Sequence, residues 1–329
     1  MAEEKYIFGP VPSRRLGLSL GLDIVPSKVC TLDCIYCEVG LTTKKTIERR
    51  EYVPVAAVLG ELKARLEKGL RADFITITGS GETTLNSRLG FLIDEIKKIT
   101  SIPVAVLTNG TLFYLPDVRR DCAKADVVLP SLDAADEQTF AMINRPHPDI
   151  SVEKVVEGLI EFRKEYRGKI WLEVFIVDGV NTGQPEIMAI KNAIALIKPD
   201  KVQLNTAVRP TAEPGVKKVE EDKLLLIART LGPDCEVIAD FSKRGAPHKD
   251  GPLSTPARRQ EDTAAADGDA QTRAEDLLSI LKRRPCSLED ICQGLGLDKN
   301  LASKYVAELQ SRGLVSSERI GGVVFFKAK

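Results

Sequence analysis

The stretch KVCTLDCIYCEVG, residues 28–40, gathers three cysteines at the spacing Cys30-x3-Cys34-x2-Cys37. Thiolates are soft ligands that suit zinc or iron–sulfur clusters. A structural zinc site takes four ligands, commonly from two distant Cys-x2-Cys knuckles. No second knuckle exists here, so a fourth ligand would have to be His147, His248 or one of the scattered cysteines Cys122, Cys235, Cys286 and Cys292. A [4Fe–4S] cube ordinarily takes four thiolates. Three leave one iron open to a ligand that the protein does not supply, and an open iron is chemically useful. A cluster with one open corner therefore explains three thiols better than a closed zinc site does. The scattered cysteines read as small buried hydrophobes.

The elements that position these residues follow from the pattern. LGLSLGLDIV (16–25) alternates Leu18, Leu20, Leu22 and Ile24 with Ser19, Gly21 and Asp23, a strand with one apolar face, and the cysteine loop follows it. Strands and helices then alternate six times over about 240 residues, which argues for parallel βα units in a partial barrel or open sheet. Either arrangement places the site at the C-terminal ends of the strands. The unusual residues fall there: the cysteines after strand one, Gly79-Ser80-Gly81-Glu82 after strand two, Thr108-Asn109-Gly110 after strand three, Ser131-Leu132-Asp133 at strand four, Asp178-Gly179-Val180-Asn181 after strand five, and Asn205 and Arg209 at strand six. Strand parity sends Ile170, Leu172, Val174 and Ile176 outward and Trp171, Glu173 and Phe175 inward; in strand six Gln203 and Asn205 point inward. With Thr76 and Thr78 they predict a lined cavity.

On these residues the chain resembles the radical S-adenosylmethionine (SAM) superfamily, whose signature is Cys-x3-Cys-x2-Cys with an aromatic residue, here Tyr36, before the last cysteine. The resemblance covers roughly residues 6–250. It implies a partial (βα)6 barrel, an α/β fold, with a [4Fe–4S] cluster on Cys30, Cys34 and Cys37. It also implies SAM on the open iron, reductive cleavage to a 5′-deoxyadenosyl radical, and hydrogen abstraction from a substrate whose identity the sequence does not give. An electron donor of the flavodoxin or ferredoxin type is implied as well. GSGE (79–82) resembles the GGE element that holds the methionine amino group, with Ser80 in place of the second glycine; Glu82 is then the acceptor. Ser131 and Asp133 lie where the family contacts the ribose, Asn205 where it touches the adenine, and Asn109 joins the cosubstrate set with Tyr36. FGPVPSRRLGLSLGLDIVPSKVCTLDCIYC, SLDAADEQTFAMINRPHP and VQLNTAVRPTAEPG resemble a group of oxidoreductases related to wyosine tRNA-base enzymes and the molybdopterin GTP cyclase. Arg14, Arg15, Asn144, Arg145, His147 and Arg209 lie in these stretches; the cations suit an anionic substrate, a modified nucleoside or RNA among them, or brace loops. No second cysteine triad is present, against the GTP cyclase activity.

The whole chain sets the frame. Forty-seven basic residues balance forty-seven acidic ones in 329, so bulk charge points to neither nucleic acid nor membrane. The N-terminus has no apolar leader and no run of 18 apolar residues occurs, which predicts a cytoplasmic protein without a disulfide framework. Residues 1–250 form the core domain and 251–272 a polar linker. A linker of about 20 residues spans roughly 25 Å, so it brings the tail to the barrel mouth without fixing it there. Residues 273–329 read as three helices and a hairpin around Gly321-Gly322, resembling a small winged helix-turn-helix domain. Its ten Lys/Arg against seven Asp/Glu leave a modest +3. Lys299, Asn300, Ser303 and Lys304 are candidate contacts to a nucleic acid, and protein docking is the other use. An enzyme is thus set against a winged-helix regulator that senses redox state or SAM; a polar inner face and the GSGE turn favour the enzyme.

Overall fold

The structure is a computed structural model that describes residues 6–239, 268–320 and 322–329. His248 and most of the expected linker lie outside the described residues.

Strands β1 (Ile7–Ser13) and β2 (Gly17–Asp23) form a hairpin, and a short pair, β3 (Val29–Cys30) and β4 (Lys44–Lys45), brackets the cysteine loop. There follow α1 (Val55–Glu67), β5 (Phe74–Thr78), α2 (Leu89–Ile99), β6 (Val104–Thr108), α3 (Pro116–Cys122), β7 (Val127–Pro130), α4 (Glu137–Asn144), α5 (Val152–Glu165), β8 (Lys169–Ile176), α6 (Gln184–Ile197), β9 (Lys201–Thr206), α7 (Glu221–Leu231) and β10 (Cys235–Val237). One sheet runs β1-β2-β5-β6-β7-β8-β9-β10, parallel from β2 onward and antiparallel at β1. The six expected strands are β2 and β5–β9. Two further strands of this sheet escaped the pattern. β1 carries Pro10 and Pro12, which argue against a central strand but are tolerated at a bulged edge; β10 is three residues long.

Ile170, Leu172, Val174 and Ile176 are all fully buried under the helices, as their parity requires. Inside the barrel, Leu16, Ala105, Val127 and Leu129 make an apolar plug against Phe74, Leu107 and Trp171. The two ends of the sheet are joined by Arg14, which follows β1 and donates from Nη1 to the Ile238 carbonyl just beyond β10 at 3.2 Å.

The C-terminal part comprises α8 (Gly268–Arg283), β11 (Cys286–Ser287), α9 (Leu288–Leu295), α10 (Lys299–Ser311), β12 (Val315–Ile320) and β13 (Val323–Ala328), with sheet order β11-β13-β12. Three helices followed by a hairpin are the elements that the sequence predicts for this part. α8 begins five residues before the expected Arg273. Ser287 caps α9 in a capping box with Asp290, and Asp298 caps α10; each such cap satisfies otherwise orphaned N–H groups. The outward residues Lys299, Asn300, Ser303 and Lys304 are exposed.

One expectation is corrected here. The tail is seated on the barrel: Val11 of β1 belongs to its hydrophobic core with Leu277, Leu281, Ile291 and Val306, and Phe8 packs against the same cluster. Ionic contacts cross the junction, Arg283 Nε to Asp23 Oδ2 at 3.3 Å and Arg209 Nη2 to Asp290 Oδ1 at 3.9 Å. Linker length sets how far a domain can reach. The apolar face of β1 decides where it settles.

Candidate active site

The cysteine loop is pinned from three sides. The Asp33 and Ile35 N–H groups donate to the carbonyls of Asn144 and Ile143 at the end of α4, at 2.9 and 3.0 Å. Thr46 donates to the Cys30 carbonyl, and Glu213 to that of Ile35. The three thiols are partly exposed. Each sulfur meets its own nitrogen donor: Asn109 Nδ2 at 3.6 Å from Cys30, Asn144 Nδ2 at 3.3 Å from Cys34, and Lys28 Nζ at 3.1 Å from Cys37. Burial pushes the Cys30 thiol up to about 12, helped by Glu82, and pushes Cys34 well above its usual range. Metal binding must therefore displace protons from them. Among the described residues no three His, Cys, Asp or Glu side chains gather tightly enough to hold a single metal ion. A cube holds its ligands at separate corners, and hydrogen bonds to the sulfurs tune it. Three soft donors on one anchored loop, each facing an N–H, fit that group.

The turn after β5 touches the loop directly. A Cβ on Gly81 would lie 2.1 Å from the Val29 carbonyl oxygen, so only glycine fits. The Ser80 amide and hydroxyl donate to Asp23, at 3.3 and 3.0 Å, and the Ser80 carbonyl accepts from the Lys28 amide at 2.7 Å. Gly79 sits against the same carboxylate: a Cβ there would fall 3.3 Å from Asp23 Oδ1.

Two acids expected to face SAM are turned to the protein. Glu82 is 2% exposed; Oε1 accepts from the Thr84 amide and hydroxyl and from the Thr108 hydroxyl, and Oε2 from the Asn109 amide at 2.8 Å. Its carboxylate ties the turn after β6 to the turn after β5. Asp133 is 3% exposed and accepts from the Tyr36 hydroxyl, from Asn144 Nδ2 at 2.7 Å and from the Phe175 amide at 2.9 Å. Desolvation raises its pKa to about 6. In both cases a buried carboxylate is satisfied by several donors of the protein itself.

Tyr36 lies flat on Phe175, with ring centroids 3.9 Å apart. Asn109 also donates to the Thr31 hydroxyl at 2.8 Å, and Asn205 to Glu173 Oε1 at 2.9 Å. Ser131 lines a water-sized cavity of about 10 Å³ with Asn109, Asp133 and Asn144. The inward polar residues that predicted a lined cavity are largely paired with one another: Glu173 with Arg15 and Asn205, Gln203 with Glu236, Ser19 with Thr76. The cationic set divides. Arg15, Arg145 and Arg209 each have a carboxylate partner, Glu173, Glu213 and Glu38. Among the described residues Arg14 donates only to Ile238, and burial beside Arg209 lowers its pKa to about 10. His147 braces its loop, its Nδ1 accepting from the Asp149 amide. Sequence reasoning missed Lys28 and Asp23, and turned Phe175 inward without its partner Tyr36. A lysine two residues before a cysteine carries no signal, and the contacts of Asp23 with Ser80 span 57 residues.

Comparison with known proteins agrees with this geometry. The Radical SAM superfamily model matches residues 24–206. A radical SAM methyltransferase from Sphaerobacter thermophilus shares the fold, with a TM-score of 0.51 over 68% of this chain and 67% of that one, at 17% identity. The chain belongs to the radical SAM superfamily, whose members use a [4Fe–4S] cluster and SAM. Within it the chain belongs to the UPF0026 proteins. It is 33% identical to the Helicobacter pylori J99 member over the full length of both, and 36% identical to the Methanocaldococcus jannaschii member MJ1312 over 70% of this chain and 71% of that one. A Brachyspira hyodysenteriae protein named GTPase Obg is 36% identical over 98% of this chain, which spans only 45% of that protein's length. No G-x4-G-K-S/T run, the mark of a GTP-binding loop, occurs in the present sequence. No helix among the described residues is long and apolar enough to cross a membrane.

Proposed function

We propose that Cys30, Cys34 and Cys37 hold one [4Fe–4S] cluster with an open iron, and that the chain uses it to abstract hydrogen from an anionic substrate. The observation that carries the reading is the anchored loop of three thiols, each facing its own N–H donor. When bound, the cluster and SAM supply an electron and a 5′-deoxyadenosyl radical; the protein supplies position and seclusion. Asn109, Asn144 and Lys28 spread the charge of the three thiolates. Asp133 holds Tyr36 and Asn144, so the aromatic residue and one sulfur donor share a single anchor. Gly79, Ser80 and Gly81 pack the turn after β5 against Asp23 and Val29, and that turn would meet the methionine end. Ser131 lines the small cavity, and its hydroxyl would serve a ribose oxygen. Arg14 brings a guanidinium held by a backbone carbonyl to the gap between the sheet ends, which suits a carboxylate or phosphate. An electron donor of the flavodoxin or ferredoxin type completes the system, and the exposed face of α10 is available to a nucleic acid or protein.

The test is anaerobic reconstitution followed by iron and sulfide analysis, 5′-deoxyadenosine assay under reducing conditions, and deuterium-transfer screening against cell extract. About four irons per chain and reductive formation of 5′-deoxyadenosine are expected. One zinc per chain without iron would refute the reading.

A further inference from the structure

A hydrogen-bonded and ionic chain runs from the C-terminal domain to a cluster ligand. Arg283, the last residue of α8, places its guanidinium 4.5 Å from the Phe8 ring and its Nε 3.3 Å from Asp23 Oδ2. Asp23, at the end of β2, accepts from the Ser80 amide and hydroxyl. The Ser80 carbonyl accepts from the Lys28 amide at 2.7 Å. Lys28 is held at φ +60°, a conformation that costs a non-glycine residue energy. Its carbonyl is gripped by the Thr43 and Lys44 amides, both at 3.1 Å, and its Nζ ends 3.1 Å from Cys37 Sγ. A second path reaches the same cysteine: Asp290 of α9 faces Arg209, which holds Glu38, the residue after Cys37. Nothing in an independently tethered domain requires either path.

We infer that the C-terminal domain is a positioning element of the reaction centre. Docked through Arg283, it fixes Asp23, Ser80 and Lys28, and so sets both the SAM-binding turn and the ammonium that faces Cys37. The inference rests on the cluster reading of Cys30, Cys34 and Cys37. Its physical content is specific. An N–H donor or cation beside a ligand sulfur stabilises the more negative, reduced cluster. Loss of Lys28 from that position therefore moves the potential negative. Loss of Arg283 frees Asp23 and Ser80 and loosens Lys28 with them.

The experiment uses the full-length, anaerobically reconstituted protein and the variants Arg283→Met, Lys28→Met and the double variant. Iron content, SAM dissociation constant and cluster midpoint potential by spectroscopically monitored redox titration are measured. Iron per chain stays at the parent level in all three. Arg283→Met raises the SAM dissociation constant about tenfold, about 1.4 kcal/mol lost through the loosened turn. It also moves the potential negative, by no more than Lys28→Met does. The double variant moves no further than Lys28→Met, because the two act through one chain. Additive shifts would mean that Arg283 acts only as a charge through space, and would overturn the inference. So would parent-like affinity and potential in Arg283→Met. If that variant does not fold, Asp23→Asn cuts the same chain and carries the same expectations. A parent protein that takes up no iron would overturn the cluster reading and this inference together; iron-loaded variants that match the parent overturn the inference alone.

Discussion

Glu82 and Asp133 show how a motif position and a side chain's work separate. Both stand where the superfamily pattern places cosubstrate contacts, and both spend their oxygens on the protein. For Glu82 the consequence is mechanical. Glu82→Ala leaves several buried donors unpaired, at about 1–3 kcal/mol each before relaxation. The variant should unfold at clearly lower denaturant concentration and reconstitute with less iron. If stability and iron are unchanged and only SAM binding weakens, the carboxylate reaches the cosubstrate after all. For Asp133 the consequence is a pH dependence. Its folded pKa, about 6, lies above the unfolded value. The native state therefore keeps a proton that the unfolded chain releases, and this contribution is fully present below about pH 4 and lost as pH rises through about 6. A shift of about two units corresponds to about 3 kcal/mol. The stability difference between the apoprotein and Asp133→Asn, measured by denaturant titration between about pH 4 and 7, should change by that order in the direction of a less stable parent at the upper end. A difference that stays flat across this range would show that Asp133 titrates normally.

Among the elements, the strand ends were legible because chemistry and parity coincide there. Polar or glycine-rich tripeptides interrupt an otherwise apolar alternation, and β8 and β9 turn the residues inward that their period of two demands. What joins one turn to the next was not legible. The hydrogen bonds from Asn109 to Thr31 and from Ser80 to Asp23 span 78 and 57 residues, and no local pattern marks such pairs. Nor did periodicity find β1, whose prolines disguise an edge strand. Gly81 is the exception that spacing does expose, since a glycine at a strand end predicts close approach. The approach proves to be to the segment before Cys30. Gly81→Ala should push that segment away and impair cluster assembly, with iron content falling well below the parent's after identical reconstitution, while the far-UV circular dichroism of the whole chain stays close to the parent's. Full iron loading in this variant would mean that the two turns separate without consequence.

The whole molecule differs most from what the sequence predicts at its tail. Residues 273–329 carry their own apolar set; Leu277, Leu281, Ile291, Val306, Leu309, Val315 and Phe325 are buried, and Leu278, Leu295 and Leu301 pack beside them. That core continues into Val11 and Phe8 of β1, far earlier in the chain, where no local pattern of the tail could show it. A core shared between two parts couples their stabilities. Exposing a buried Val costs about 1.5–3 kcal/mol, and removing Arg283 takes from Asp23, buried at the junction, the cation that faces it. A chain ending near residue 250 should therefore still take up iron, because every cysteine of the triad and its N–H donor precede that point. It should be less stable than the full chain, bind SAM more weakly and make less 5′-deoxyadenosine per iron. The residues from 268 onward should fold alone with a cooperative thermal transition, since their buried set is nearly self-contained. Equal 5′-deoxyadenosine yield per iron from the short and full chains would return the tail to the status of a tethered module; loss of all iron from the short chain would make the junction part of the fold itself.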